Sequence, residues 1–284
     1  MNEQIKNLEK VAGKYKLALL GIPHDANSSY LKGTSAAPPL IREAFHCYSS
    51  NKWSESGIDL GGEEIFFDAG DLQLKNIAGD EDFPTIEKAV LRLVDNHLPP
   101  ISFGGDHAVS LPVIRAMLQR YEKIDILQFD AHPDLYDSFE NNPFSHACLF
   151  ARVMESGQVN RLVQVGIRTR NAHQRRQAER FAVEMIEMRR LSNLNPLLFT
   201  MPLYISFDLD ALDPAFAPGL SHPEPGGLTV RQALRVIQEL SAPRIIGADI
   251  VEYNPRRDPS GITAMVAAKI FKEIAARMLE CCPL

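Results

Sequence analysis

Sulfur is scarce in this 284-residue chain, which has four cysteines, Cys47, Cys148, Cys281 and Cys282. None is paired in a CxxC spacing, which excludes a disulfide framework and a zinc-thiolate module. Excess positive charge is also missing. Thirty basic against thirty-six acidic residues give a net charge of −6, the wrong balance for a phosphate backbone, so no nucleic-acid partner is expected. No apolar run reaches membrane-spanning length, so no membrane partner is expected. Met1 to Lys16 is polar and lysine-rich without a secretory apolar core, and with the unpaired cysteines this leads to the expectation of a cytoplasmic location. Linkers, repeats and low-complexity segments are absent too. An apolar content of 45% and a charged content of 23% describe a folded globule, read as a single domain over residues 1–284.

What is present is an alternation of short apolar runs and helical patterns, the mark of a parallel sheet with crossover helices. The expected strands are Lys16 to Ile22, Pro100 to Phe103, Ile124 to Phe129, Arg161 to Val165, Leu203 to Phe207 and Arg244 to Ala248. Their continuous hydrophobicity predicts burial on both faces. Helices are predicted at Phe83 to His97, Leu111 to Tyr121, His146 to Ser156, Asn171 to Arg180, Thr229 to Leu240 and Ile262 to Leu279, with Thr229 and Gln232 as a capping box. The stretch His46 to Lys75 reads as an extended surface excursion.

Ligands of parallel α/β sheets sit at the carboxyl ends of strands. Four apolar runs end in reactive side chains: Gly104-Gly105-Asp106-His107, Asp130-Ala131-His132-Pro133-Asp134, Asp208-Leu209-Asp210, and Asp249 leading to Glu252. In an extended segment residues two apart share a face, and a separation of about 6.6 Å lets such pairs serve two metals held ~3.5–4 Å apart. Four aspartates gathered at one sheet edge need cations, because each unpaired buried charge costs several kcal/mol, on the order of that known for buried ions. Two divalent ions balance them. With His107 and His132 the donors are nitrogen and oxygen without sulfur, which favours a fairly hard transition ion such as Mn²⁺. Trp53, His24, His46, His97, His173 and His222 read as packing or surface residues, His222 in a loop bordering the pocket.

These motifs, with Ser206 to Pro214 around the third, resemble the signatures of the ureohydrolase family, the manganese enzymes that include arginase and agmatinase. The similarity extends over Gly33 to Arg42, Val165 to Arg168 and Pro218 to Ala268. Within the family the chain looks most like plant-type arginases, through Asp130 to Tyr136, Ser145-His146-Ala147, Glu187-Met188-Arg189 and Gly247 to Glu252. The resemblance implies an α/β arginase/deacetylase-like three-layer fold, with a mostly parallel sheet of about eight strands flanked by helices, and a homotrimer or homohexamer. It implies two Mn²⁺ per subunit, the first held by His107, Asp130, Asp134 and Asp208, the second by Asp130, His132, Asp208 and Asp210. Asp134 and His146 would handle protons, and Glu252 would orient a small cationic guanidino substrate.

The implied reaction is hydrolysis of a guanidinium group to urea and an amine, L-arginine to ornithine and urea first, with agmatine or another guanidino acid as the alternative substrate. Asn142, Ser145 and Asn171 are candidate contacts to an α-amino acid. A zinc deacetylase of the same fold and a non-catalytic sensor are the other readings. His107 and Asp210 speak against the first, and the full set of six ligands against the second.

Overall fold

The computed structural model describes Ile5, Leu8, residues 13–191 and residues 195–281. Cys282 and most of the polar N-terminal stretch lie outside them. Eight strands form one sheet: β1 (Leu17–Gly21), β2 (Phe66–Asp71), β3 (Pro100–Phe103), β4 (Ile124–Phe129), β5 (Val159–Ile167), β6 (Glu184–Glu187), β7 (Leu203–Asp208) and β8 (Ile245–Val251). Their order is β2-β1-β3-β8-β7-β4-β5-β6, and every pairing is parallel. The last two strands are thus inserted between β3 and β4, and the chain reverses direction across the sheet at that point. A crevice opens at such a reversal, on the carboxyl side.

The central strands are buried on both faces, and alternate residues enter two separate cores. Leu127, Phe129, Ile205, Phe207, Ala248 and Ile250 pack with α1 (Ala37–Phe45), α6 (Val230–Glu239) and α7 (Ile262–Glu280). Ile124, Ile126, Tyr204, Ile246 and Val251 pack with α2 (Phe83–Asp95), α3 (Ser110–Leu118) and α4 (Leu149–Met154). The remaining helix, α5 (Ala172–Arg180), precedes β6. Among the described residues no helix is long and apolar enough to cross a membrane.

The six expected strands and most helices are found with ends shifted by a few residues; the capping box of Thr229 and Gln232 is formed at α6. Three elements were not anticipated. β2 lies inside the stretch taken for a surface excursion, and β6 was not assigned. Both are edge strands with half-buried, charge-bearing sequences, FFDAGD and EMIE, that lack the apolar run of a central strand. Helix α1 begins APPL, and its two prolines hide it, although in a first turn they cost no hydrogen bond. The predicted helix at His146 starts instead as a 3-10 turn over His146–Cys148 before α4.

The Gly104-Gly105 pair is required by a close approach. The segment after β1 crosses the end of β3, and the Asp106 N–H donates to the His24 carbonyl at 2.8 Å. A Cβ on Gly105 would lie 1.9 Å from that carbonyl oxygen, and one on Gly104 would lie 2.7 Å from Val109 and Val251. Gly105→Ala is therefore expected to destabilise the fold by about 1–3 kcal/mol or more, as overpacking does. Urea unfolding checks this, and an unchanged midpoint would contradict the packing.

Candidate metal centre and active site

Three of the four central strands, β3, β4 and β7, deliver the six expected metal ligands, and β8, between β3 and β7, delivers Glu252. His107 is buried, and its Nδ1 stands 3.1 Å from Asp130, 3.0 Å from Asp134 and 3.2 Å from Asp208. His132 Nδ1 stands 2.9 Å from Asp210 and 3.5 Å from Asp130. Among the six expected ligands, two groups of donors each lie close enough to share one ion: His107 with Asp130 and Asp208, and His132 with Asp130 and Asp210. Asp130 belongs to both. Asp208, expected to bridge as well, is grouped with His107 alone; its other oxygen accepts the Asp210 N–H at 2.7 Å.

The spacing of these aspartates has a different origin from the strand pleat. Beyond β7 the chain turns at once into a 3-10 turn, Leu209–Ala211, and Asp134 has a left-handed backbone, φ +53°. The 6.6 Å separation of an extended segment therefore does not apply. Instead Asp130 and Asp208 each accept the N–H two residues on, from His132 at 2.6 Å and from Asp210 at 2.7 Å. These side-chain turns are a habit of aspartate. Asp210 likewise accepts the Ala131 N–H at 2.9 Å. Asp208 and Asp210 are each anchored by one oxygen and present the other to an imidazole.

Beneath the ligands runs a row of polar side chains in register across five strands: Ser102, Asp249, Ser206, Gln128 and Gln164, all fully buried. Gln164 donates to Gln128 at 2.6 Å, and Gln128 donates to Asp130 at 2.6 Å. The Ser206 hydroxyl donates to Asp249 at 2.8 Å, and Tyr204 donates to the other Asp249 oxygen at 2.6 Å. With its proton committed to Asp249, Ser206 must accept from His107 Nε2, 2.8 Å away. A neutral His107 then carries its proton on Nε2 and turns a lone pair on Nδ1 toward three carboxylate oxygens. Nδ1 has no hydrogen-bond partner, and a lone pair facing carboxylates is stable only around a cation.

The electrostatics agree. Burial and the neighbouring Asp130 charge push the Asp134 carboxyl up to about 7, and burial with Asp210 and Asp130 raises Asp208 well above the carboxylate range. Burial opposes the charged forms of His107 and His132, yet the surrounding aspartates raise both. Protons here occupy the place of positive ions. The nitrogen and oxygen donors, the orphaned Nδ1 and the crowded carboxylates all fit divalent metal.

Glu252 lies beside this cluster, with a left-handed φ of +65° that costs a non-glycine residue about 1–3 kcal/mol. Its Oε1 accepts the His107 N–H at 2.9 Å and faces His146 Nδ1 at 2.8 Å. Its Oε2 is buried and has no partner. The Ser29 N–H donates to His146 Nε2 at 3.2 Å, and the Ser29 hydroxyl lies 2.8 Å from the same atom. Asp134, Asp208, Asp210, His132, His146, His222 and Glu252 line a cavity of about 330 Å³, whose outer wall includes Ser29, Tyr136, Thr169, Arg170 and Asn171.

The structure corrects two expected contacts. Asn142 and Ser145 are not on the cavity wall. The Asn142 amide donates to Asn27 at 2.9 Å and its oxygen accepts from Phe144, while Ser145 bonds the Asn27 carbonyl and caps its own turn. Both build the loop rather than face the ligand. Asn171 does line the cavity, with its oxygen capping α5 and its amide on the Tyr136 hydroxyl at 2.7 Å. His222, read as a packing residue bordering the pocket, lines it with its ring centroid 4.9 Å from that of His146. Ser29 was missed, although it follows β1 and the strand-end rule applied to that strand would have reached it.

The description of the Arginase family matches residues 15–276. The chain belongs to the arginase family. It is 46% identical to "Arginase 1, mitochondrial" of Arabidopsis thaliana over 93% of this chain and 82% of that protein. The solved arginase from Medicago truncatula superposes with a TM-score of 0.90 at 42% identity, over 97% of this chain and 91% of that one. An agmatinase of Bacillus cereus is more distant, 32% identical over 91% of this chain and 90% of that protein. The resemblance seen in the motifs and the three-layer fold it implied are thereby borne out, and the chain is a ureohydrolase.

The expected cytoplasmic location is overturned. Relatives at 44–46% identity are named mitochondrial, or chloroplastic and mitochondrial, arginases. Unpaired cysteines distinguish reducing from oxidising surroundings and do not separate one reducing compartment from another.

If Ser206 fixes the His107 tautomer, Ser206→Ala should weaken metal binding by about 10- to 100-fold, while Ser206→Thr keeps the hydroxyl and most of the affinity. Competition with a fluorescent chelator measures this, and equal affinity for all three proteins would remove the relay.

Proposed function

We propose that this chain hydrolyses L-arginine to ornithine and urea, and that residues 1–284 act as one catalytic domain. The observation that carries the reading is Glu252 Oε2, a buried carboxylate oxygen without a partner, on the cavity wall and outside the proposed metal ligands. A planar cation with several N–H donors is the ligand such a surface recognises.

Two Mn²⁺ ions are proposed as the metal complement. His107, Asp130, Asp134 and Asp208 would hold one, and Asp130, His132 and Asp210 the other. When bound, such ions lower the pKa of water toward neutrality and offset carboxylate charge. The remaining work falls to this chain's side chains. Glu252 Oε2 accepts from the guanidinium and fixes its plane, while Oε1 stays on the His107 N–H. Asp134, on the cavity wall with one carboxylate oxygen 3.0 Å from His107 Nδ1, is proposed to take a proton from the incoming water. His146 donates at Nδ1 to Glu252, which leaves Nε2 and the Ser29 hydroxyl as the route by which a proton passes between the leaving amine and solvent. Burial lowers the His146 imidazolium, but the Glu252 charge outweighs it and holds the group above its ordinary value.

Asn171 is proposed as a contact at the far end of the substrate. Family membership also supports assembly as a homotrimer or homohexamer.

Urea release from L-arginine, agmatine and 4-guanidinobutyrate, each with Mn²⁺, tests the assignment, and dominant turnover of agmatine would overturn it. Glu252→Gln should lower kcat/KM for arginine by roughly 100-fold, the scale of a charged hydrogen bond, with metal content unchanged. Full activity in that variant would remove Glu252 from the substrate site. Chelation should abolish urea release, and Mn²⁺ should restore it; activity that survives complete metal removal contradicts the mechanism.

A further inference from the structure

The catalytic cavity has two electrical ends. At one end stands Glu252, the lining carboxylate not assigned to metal, with Oε2 unpartnered, and among the described residues on the wall one side chain, Arg170, is permanently cationic. Arg170 stands between this cavity and a second hollow of about 250 Å³ lined by Arg168, Arg170, Arg175, Glu187 and Arg189. Four arginines line that neighbouring hollow with a single carboxylate, and Arg170 is the one shared with the substrate cavity.

That carboxylate does not use up their charge. Glu187 Oε1 accepts from Arg170 Nη2 at 2.5 Å, and Oε2 accepts from Arg189 Nε at 2.5 Å, so two guanidinium groups share one negative charge. Glu187 keeps a partner in Arg189 if Arg170 turns away. Arg168 differs: its guanidinium is spent on the backbone carbonyls of Gly166, Asp210, Ala211, Leu212 and Glu224, which lock the loops around the metal ligands. Arg170 makes no such bonds among the described residues and is half-buried at the cavity edge. A guanidinium has donors for a second carboxylate beside the one it already holds.

We propose that Arg170 is a specificity-determining residue that receives the carboxylate of the substrate, so that the cavity selects guanidino acids over guanidino amines. This rests on the guanidine-hydrolysis reading above. A guanidino acid places its cation on Glu252 and its anion at Arg170, matching the polarity from floor to rim. A guanidino amine such as agmatine carries a second cation where the carboxylate would be, and Arg170 repels it. Thr169 and Asn171, the neighbours of Arg170 on the same wall, supply neutral polar groups that discriminate less between the two ligands.

The test compares steady-state kinetics with L-arginine and agmatine for the Mn²⁺-loaded wild type, Arg170→Gln, Arg170→Lys and Glu187→Gln. Loss of the charge should raise KM for arginine roughly tenfold or more, the scale of a hydrogen bond to a charged group, with little change in kcat because the contact is the same in ground and transition states. KM for agmatine should stay or fall. Arg170→Lys should recover part of the preference, since it keeps the charge and loses the fork. Glu187→Gln breaks the same ion pair but leaves Arg170 free, and should keep the preference for arginine. Parallel changes for both substrates in Arg170→Gln, or loss of the preference in Glu187→Gln, would assign Arg170 a purely structural role and overturn the proposal. If the wild type releases no urea from arginine, the hydrolysis reading itself fails, and that outcome is visible before any variant is compared.

Discussion

Asp130 sits between two imidazoles, His107 buried and His132 half-buried, and the crowding of carboxylates around it is the constraint on which the rest of the site depends. Asp134, Asp208 and Asp210 converge on His107 and His132 at 2.9–3.2 Å, in a place where water cannot screen them. Carboxylate oxygens of Asp130 lie within 4.8 Å of oxygens of Asp208 and Asp210, and like charges so close repel strongly in a low-dielectric interior. Without metal, protons relieve the strain, which is why the imidazoles and two of the carboxyls are pushed upward. Cations relieve it better because they satisfy several oxygens at once. The parallel sheet makes the convergence possible: inserting β7 and β8 between β3 and β4 brings four strand ends, far apart in sequence, side by side.

The cluster of candidate ligands was legible in the sequence because a charged residue at the end of a fully apolar strand is costly unless a ligand or counter-ion meets it, and three such ends coincide. Their spacing was read correctly as significant but for the wrong reason, since aspartate turns rather than pleats set it. What went unread lies one layer deeper. Ser102, Gln128, Gln164 and Ser206 are polar positions inside buried strands, Asp249 was read only as a strand end, and only the register shows that the five form one row. A sequence displays them as isolated exceptions. The edge strands β2 and β6 were missed because an edge needs no continuous apolar run, and Asn142 and Ser145 were misjudged because turn residues look alike whether they hold a ligand or their own loop.

The cavity extends this logic outward. Its floor is fixed by anchored carboxylates, its middle by the His146, Ser29 and Glu252 hydrogen bonds, and its wall includes Arg170, held on Glu187. Positive φ values at Asp134 and Glu252 show the backbone held in costly conformations at the two residues proposed to meet water and guanidinium. A scaffold with both faces of its sheet buried can support that cost. Membership of the arginase family places this chain among ureohydrolases; the polarity from floor to rim is what favours an amino acid within that class.

The central claim is that the buried carboxylates at the sheet edge are balanced by two divalent cations, with Asp130 common to both. Calorimetric titration of the metal-free folded protein with Mn²⁺, read together with its melting temperature, tests it most directly. The account predicts saturation at two ions per chain and a melting temperature that rises with occupancy. Saturation at one ion, or binding that leaves the melting temperature unchanged, would contradict it.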